Sequence, residues 1–182
     1  RSDPPWQDFI HCLRLHFAGS HANLIFRRSD LAENIVTLSS SAAVERFGNL
    51  VDLHEPGTDP IPYYRMRPLR AYLVEEFLDG MNPADHPFTG RFLMPLGMDR
   101  LMICRVTTPC GMQGWLSVTR GGANGFSRAE MDGLEAIART FAEALAVFGA
   151  IKGIEGQRDA YARAARARAT GLVRLDRFGQ VL

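Results

Sequence analysis

Histidines and acidic residues are the first places in this 182-residue chain where metal chemistry could occur. Three histidines recur at steps of five, which a helix does not place on one face as a pair of metal ligands: His11, His16 and His21. In "LDGMNPADHPF" the side chains of Asp79, Asp85 and His86 could converge, but aspartate, asparagine, glycine and proline are also the residues that turns require. We therefore interpret both groups as structural, and we predict no metal site and no cofactor.

Nucleophilic chemistry has no complete motif in the sequence. His54 and Glu55 lack the second histidine of an HExxH zinc site, and no serine lies in a GxSxG turn. The glycines of "RGGANG" have neither the Lys-Ser/Thr of a P-loop nor the spacing of GxGxxG. Cys104 lies in an apolar segment and Cys110 in a loop, so they do not form a convincing redox pair. We predict no catalytic residue; a redox enzyme and an enzyme that uses the histidine and acidic loop are the alternatives from this class.

The amino-acid composition limits which binding partners and which cellular compartment we expect for the protein. The 21 basic and 20 acidic residues give a net charge of +1, which offers no overall field to attract nucleic acid or an anionic membrane. Three cysteines without a CxxC pair favour a reducing cytoplasm, and no apolar run approaches the roughly 18 residues that a bilayer span needs. We predict a cytoplasmic protein without membrane contact. We interpret the sequence, which begins at Arg1 and ends in "LVRLDRFGQVL", as a fragment of a longer protein.

Hydrophobic periodicity predicts the elements that must position any site. "DPPWQDFIHCLRLHFAG" predicts an amphipathic helix capped by Asp3, and "HANLIFRR" with "NIVTLSSSA" predicts a hairpin. Prolines interrupt residues 46 to 90, a long and mostly irregular segment that we call the excursion, except for a short helical segment at "LRAYLVEEFLDG". "RFLMPLG", "DRLMICRVTT" and "GMQGWLSVTR" then predict a three-stranded meander, which brings the total to five strands.

A long helix follows the "GGANG" turn. Ser127 and Glu130 form a capping box at its start, and an apolar stripe at steps of three and four runs from Met131 to Phe148. Three glycines are expected to weaken the helix beyond that stripe: Gly149, Gly153 and Gly156. The order of elements predicts an α+β fold, with a central antiparallel sheet, the terminal helices on one face and the long excursion on the other.

The stretch from "DPIPYY" through "HPFTGRFLMPLGMDRLMICRV" and "GWLSVTR" to "FSRAEMDGLEAIARTFAEAL" resembles a GAF domain. It is most similar to the N-terminal sensory region of bacterial regulators that end in a LuxR-type helix-turn-helix. The resemblance implies a GAF-like sensory domain over residues 1–150 and a connecting signalling helix over residues 151–170. Residues 171–182 would be the start of a truncated PAS-like unit or a final strand.

The same resemblance implies a non-enzymatic function: a sensory domain that binds a small-molecule effector and relays the signal through the C-terminal helix. The Asn-Lys-x-Phe-Asp-Glu signature of cyclic-nucleotide-binding members is absent, and no cysteine between residues 65 and 103 could attach a bilin. DNA contact is expected only through a domain absent from this sequence. Such regulators act on two-fold symmetric DNA sites, which implies a parallel homodimer built on the long helix and the first one. A ligand-free dimerisation and signal-relay module is the main alternative.

The second face of the sheet is the predicted ligand site. Side chains alternate between the two faces along a strand. This places residues 101, 103 and 105 of one strand and residues 115, 117 and 119 of the next strand on the same face of the sheet. This face mixes apolar bulk with hydrogen-bonding groups, as a ligand pocket requires. Eight residues are predicted to bind the effector, the last four of them from the excursion: Arg105, Trp115, Ser117, Thr119, Tyr63, Tyr64, Phe88 and Phe92. The alternative is that the tryptophan is core, the arginine a solvated edge residue, and the four aromatic residues anchors of the excursion.

Overall fold

The computed structural model describes residues 6–28, 36–41, 57–167 and 180, which contain a five-stranded antiparallel sheet. Helix α1 spans Trp6–His16 and helix α2 spans Arg128–Ala167. The strands are β1 (His21–Arg28), β2 (Val36–Ser41), β3 (Ala71–Leu73), β4 (Arg100–Thr107) and β5 (Met112–Arg120). Their order across the sheet is β2-β1-β5-β4-β3, so β5, the last of the described strands, lies at the centre.

The two faces of the sheet are covered by different parts of the chain. On one face, Leu24, Met102 and Leu116 pack with buried apolar residues of both helices. On the other, Ile103 and Trp115 pack with apolar residues between 61 and 98, which belong to the excursion and to the turns that follow it. The strand alternation inferred from the sequence is therefore confirmed, and so is the α+β architecture with helices on one face and the excursion on the other.

The predicted strand "RFLMPLG" is wrong. Residues Pro87–Leu93 form a π-helical turn, and Met94–Leu96 form a 3₁₀ turn. Pro95 has no amide hydrogen for a strand ladder, and at Gly90 the backbone approaches the Ala84 carbonyl oxygen so closely that a Cβ atom would collide with it. The fifth strand is Ala71–Leu73, inside the segment predicted to be a short helix; only Val74–Phe77 of that segment is helical, as a 3₁₀ turn.

Helix α2 begins as predicted and runs without a break into the segment predicted to be the connecting helix. The Ser127 Oγ accepts the Glu130 amide hydrogen at 3.3 Å, and the Glu130 carboxylate accepts the Ser127 amide hydrogen at 2.7 Å, which confirms the capping box. The helix is unbroken through Gly149, Gly153 and Gly156. Each glycine costs only about 1 kcal/mol, and the alanine, lysine, glutamate and arginine residues around them favour helix.

Several sequence predictions lie outside the described residues. These are the cap at Asp3, the part of the excursion at residues 46–56 and, apart from Gln180, the second unit at residues 171–182. Among the helices that the structure describes, none combines the length and the apolar character that crossing a membrane requires.

Candidate ligand-binding site

A cavity of about 230 Å³ lies between the second face of the sheet and the excursion. Side chains of β1, β4 and β5 form its floor, and residues 59–63 and 88–98 surround it. Its volume is slightly below the range of about 300–1,000 Å³ that is usual for drug-sized ligands. The cavity therefore suits a small molecule.

The floor is polar because two pairs of cross-strand neighbours carry hydrophilic side chains on this face. His21 pairs with Thr119, and Asn23 pairs with Ser117. The Thr119 Oγ1 donates to the His21 carbonyl oxygen at 3.4 Å, so that hydroxyl is already engaged. The Asn23 Oδ1 is buried and has no hydrogen-bond partner within the described part of the chain. A buried acceptor left in this way costs about 1–3 kcal/mol, and a ligand that donates to it would recover that energy.

Asp59 and Tyr63 close one side of the cavity. The Tyr63 hydroxyl donates to the Asp59 Oδ2 at 2.6 Å, and the Asp59 Oδ1 accepts the Ile61 amide hydrogen at 2.9 Å. Burial, together with the Asp59 carboxylate, raises the pKa of Tyr63, so the phenol stays protonated. This side of the cavity is an acceptor-rich surface held by the backbone of the excursion.

The charges around the cavity favour a ligand that is not an anion. Burial, followed by the positive charge of Arg14, lowers the pKa of His21, so its imidazole is neutral at pH 7. Of the described residues that line the cavity, none is arginine or lysine. A carboxylate or phosphate would therefore enter without a counter-charge and beside Asp59, which makes its desolvation costly.

The walls are apolar and are held by the turns of the excursion. Phe88 and Phe92 lie on the π-helical turn with their ring centroids 5.7 Å apart. The His86 Nδ1 accepts the Phe88 amide hydrogen at 3.2 Å, and the Thr89 hydroxyl donates to the Pro83 carbonyl oxygen. These hydrogen bonds fix the segment that carries the aromatic pair. The loop that contains Asp79, Asp85 and His86 therefore stabilises the wall of the cavity.

Arg105 and Trp115 hold the excursion against the sheet. The Arg105 guanidinium donates to the carbonyl oxygens of Tyr64 at 2.8 Å and Met66 at 3.1 Å. The Trp115 indole donates to the Tyr63 carbonyl oxygen at 3.0 Å. These bonds satisfy backbone groups in a segment that has few regular ladder partners.

The eight predicted ligand residues fall into three groups. Five line the cavity: Tyr63, Phe88, Phe92, Ser117 and Thr119. Trp115 and Tyr64 instead line a separate cleft of about 170 Å³, which they share with Ile25 and Tyr63. Arg105 lines neither space, and its guanidinium instead binds the backbone of the excursion.

Sequence reasoning missed several lining residues, notably His21, Asn23, Asp59 and Met98. The alternation of "HANLIF" already places the first two on one face of β1. Only the register between β1 and β5, however, shows that this face adjoins Ser117 and Thr119. Asp59 and Met98 lie in irregular segments, where no periodic pattern indicates a direction.

The turn between β5 and α2 is locked by Arg120. Its guanidinium pairs with the Glu130 carboxylate at 2.7 Å and lies 4.2 Å from the centre of the Phe126 ring. It also donates to the carbonyl oxygens of Asn124 and Gly125. The hydrogen bond from Arg120, assisted by those from Ser127, lowers the pKa of Glu130 to about 2.

The same turn touches the segment that borders the cavity. A Cβ atom at Gly121 would lie 2.7 Å from the Gly97 carbonyl oxygen, so only glycine fits this approach. Gly122 has a φ of 101° and donates its amide hydrogen to the Asp99 Oδ2 at 2.8 Å. Met98, which lines the cavity, lies between these two contacts.

The histidines, carboxylates and buried cysteine of the described residues were also candidates for metal or thiol chemistry. Within residues 6–28, 36–41, 57–167 and 180, no group of three or more His, Cys, Asp and Glu side chains is placed to hold a metal ion. Burial raises the pKa of the Cys104 thiol to about 12, so this residue is a protonated core side chain.

Comparison with known proteins gives distant structural similarities, of which two solved structures are examples. The sequence matches no known family model and no curated protein. The crystal structure of Escherichia coli SdiA is 14% identical, with a TM-score of 0.45 over 84% of this chain, and this chain spans 63% of the SdiA chain. The GAF domain of a two-component sensor histidine kinase from Bacillus halodurans is 10% identical, with a TM-score of 0.43, and the match covers 76% of this chain and 89% of that one. Both similarities are too distant to transfer a ligand or an activity to this chain.

Proposed function

We propose that this chain is a non-enzymatic sensory domain of a cytoplasmic transcription regulator, and that a small uncharged effector occupies the cavity. The main support for the proposal is the mixture of polar and apolar residues that line the cavity. Its floor is polar, with the unpartnered Asn23 Oδ1 beside Ser117, while its walls are apolar. Apolar surface supplies affinity, and a few placed polar groups orient the ligand.

The contacts around the cavity provide a route to helix α2. Thr119 lies on the floor, and the next residue, Arg120, is paired with Glu130 in the first turn of the helix. On the other side, Met98 is flanked by residues that contact the turn at Gly121 and Gly122. An effector that displaces either segment would move the start of α2. The helix would pass this change to a DNA-binding domain outside this sequence.

Such a relay requires that the effector bind two conformations of the domain with different affinity. The excursion is expected to provide the difference, because it forms the walls of the cavity and its residues 63–66 are held to the sheet by the side chains of Arg105 and Trp115. A ligand that draws Phe88 and Phe92 towards the floor would favour one arrangement of these segments.

Thermal unfolding with a library of uncharged metabolites tests the proposal. A true effector at 100 times its dissociation constant stabilises the native state by about 2.7 kcal/mol. The Ser117→Leu substitution fills the floor of the cavity and should abolish this stabilisation. Thr37→Leu is the control, because Thr37 is exposed on β2, pairs with Ile25 and lies outside the cavity lining, so its response should equal that of the natural chain.

A ligand-free relay module is the alternative, and the same experiment separates the two. In that case no compound would raise the unfolding temperature of the natural chain. A compound that stabilises the natural chain and the Ser117→Leu variant equally would bind elsewhere, and the cavity would lose its assigned role.

A further inference from the structure

The cleft beside Trp115 is separate from the cavity assigned to the effector. It has a volume of about 170 Å³, and Ile25, Tyr63, Tyr64 and Trp115 line it, so we call it the aromatic cleft. The Tyr64 ring stands at 90° to the Trp115 ring, with 5.4 Å between their centroids, and the Tyr63 ring stands at 85° to it, with 6.2 Å between centroids. Each tyrosine therefore forms a right-angled corner with the tryptophan.

The walls of the aromatic cleft are held by hydrogen bonds to the backbone of the excursion. The Trp115 indole donates to the Tyr63 carbonyl oxygen at 3.0 Å. The Arg105 guanidinium donates to the Tyr64 carbonyl oxygen at 2.8 Å. Ile25 is the cross-strand neighbour of Trp115, so both of these lining residues belong to the sheet. The site is therefore formed before a ligand arrives, which reduces the entropy lost on binding.

The volume of the aromatic cleft indicates the size of its occupant. An apolar cavity of about 150 Å³ accommodates benzene, so a cleft of about 170 Å³ suits one aromatic ring. Aromatic pairs prefer offset-stacked and edge-to-face arrangements. A ring in a right-angled corner makes both at once, because it stacks on one wall and turns its edge to the other.

Arg27 places a positive charge beside the aromatic cleft. It follows Ile25 by two residues on β1, so both side chains point to the same face, and its Cζ lies 4.8 Å from the centre of the Tyr64 ring. Its Nε is buried and has no hydrogen-bond partner within the described part of the chain. The ion pairs found among the described residues do not include it. A carboxylate that reaches this guanidinium would make the charge-assisted, bidentate bonds that it lacks.

The neighbouring charges favour an anion over a cation. The faces of aromatic rings also attract cations, but Tyr64 already has the Arg27 guanidinium over its ring. Arg105 adds a second positive charge, because it is the cross-strand neighbour of Trp115. The Asp59 carboxylate lies at the hydroxyl end of Tyr63 and lines the effector cavity instead. A cationic ligand would be repelled by both arginines, and an anionic one would be attracted by both.

We propose that the aromatic cleft is a second ligand site, which binds a small aromatic carboxylate. The ring lies against Tyr64 and Trp115, and the carboxylate bonds to Arg27. This site differs in chemistry from the effector cavity, whose lining favours an uncharged molecule, and it does not depend on that cavity being occupied. Because Tyr63 lines both spaces, a ligand in the cleft contacts a residue that closes the effector cavity.

Isothermal titration calorimetry of the whole 182-residue chain tests the proposal with three probes of one shape. Benzoate is expected to bind at one site per chain with a dissociation constant below about 1 mM. Benzamide has the same ring without the charge and should bind at least about 10-fold more weakly. Benzylammonium carries the opposite charge and should bind more weakly than benzamide. Absence of benzoate binding at millimolar concentration, or a preference for benzylammonium, would overturn the proposal.

Substitutions locate the charge and the ring. Arg27→Met keeps the apolar stem and removes the guanidinium, so it should weaken benzoate binding by about 10-fold or more and leave benzamide binding unchanged. Tyr64→Leu removes one wall and should weaken both. Arg28→Met is the matched control, because Arg28 is the next residue on β1 and its guanidinium lies near Gly153 of α2, on the opposite face. It should leave both affinities unchanged.

Two outcomes with natively folded variants would assign benzoate elsewhere. Equal weakening by Arg27→Met and Arg28→Met would show only a general attraction to positive charge and would overturn the site. Ser117→Leu separates the cleft from the effector cavity, since Ser117 lines only the latter of the two. Benzoate binding should survive this substitution even if no uncharged effector exists. Its loss would place benzoate in the effector cavity and would overturn the assignment to the aromatic cleft.

Discussion

The two faces of the central sheet differ in how completely they are packed. Leu116 is fully buried on the helix-covered face, in register with Leu24 and Cys104. Its neighbour Ser117 points to the opposite face, where it pairs with Asn23 and lines a cavity. Adjacent residues of one strand thus belong to a close-packed core and to an incompletely filled polar space.

One face of the sheet therefore supplies most of the stability, and the other carries the proposed ligand site. The helix-covered face holds mainly apolar side chains, so its burial supplies most of the folding free energy. The excursion-covered face borders a cavity and retains a buried acceptor without a partner among the described residues, which lowers stability. A protein keeps such a defect where activity requires it.

The largest expected effect comes from truncating neighbouring residues on opposite faces. Leu116→Ala should lower the free energy of unfolding by about 3 kcal/mol, because it leaves a cavity in the close-packed core. Ser117→Ala should lower it by less than about 1 kcal/mol, since it borders a space that already exists. Urea unfolding measures both values. Equal losses would show that the two faces are packed alike and would remove the basis of the comparison.

A smaller effect is expected at the bonds that hold the excursion. Arg105→Met leaves the Tyr64 and Met66 carbonyl oxygens without their donor and should cost about 1–2 kcal/mol. Hydrogen exchange should become faster at residues 61–66, while the β1–β5 amides keep their protection. Arg100→Met is the control: Arg100 pairs with Glu75 at the half-exposed edge of β4, so its loss should matter less. Unchanged exchange at residues 61–66 would show that Arg105 does not hold the excursion.

The sequence predicted the elements that repeat a pattern and missed those that do not. Strands β1, β2, β4 and β5 follow hydrophobic alternation, and the start of α2 follows from Ser127 and Glu130. Strand β3 has three residues, which is too short for any period to be visible. Its place at the sheet edge depends on pairing with β4, a long-range contact that local sequence does not encode.

Local sequence patterns were also of limited use for the ligand-binding residues. Alternation correctly directed Ser117 and Thr119 to the second face, since side-chain direction in a strand is a local property. It also placed Arg105 on that face, but it could not show that the guanidinium would meet backbone carbonyl oxygens of Tyr64 and Met66. The partners of a long side chain depend on which segment lies above it.

Acid titration is expected to reveal the ion pair that joins the sheet to α2. The pKa of Glu130 falls from its ordinary value of 4.5 to about 2 on folding, so its stabilising effect is complete above about pH 5 and is lost as the pH falls towards 2. Because the pair is partly exposed, the loss should be on the order of 1 kcal/mol. Glu130→Gln should remove this part of the acid sensitivity. Asp132→Asn, in the exposed Arg128–Asp132 pair, should alter stability much less, and equal effects of the two variants would contradict a special role for the turn.

The smallest expected effects compare two glycines of α2, one against the sheet and one beyond it. A Cβ atom at Gly149 would lie 2.5 Å from the Met112 Cγ and 2.9 Å from the Cys110 Sγ, whereas at Gly156 it would meet nothing within 4 Å. Alanine is favoured over glycine in a helix by up to about 1 kcal/mol, so Gly156→Ala should raise the free energy of unfolding by roughly 0.5–1 kcal/mol. At Gly149 the same gain is opposed by displacement of the buried Met112, and overpacking of a core costs about 1–3 kcal/mol, so Gly149→Ala should give a net loss on the order of 1 kcal/mol. Urea unfolding of the two variants would show opposite signs, and stabilisation by both would mean that the sheet does not constrain α2 at Gly149.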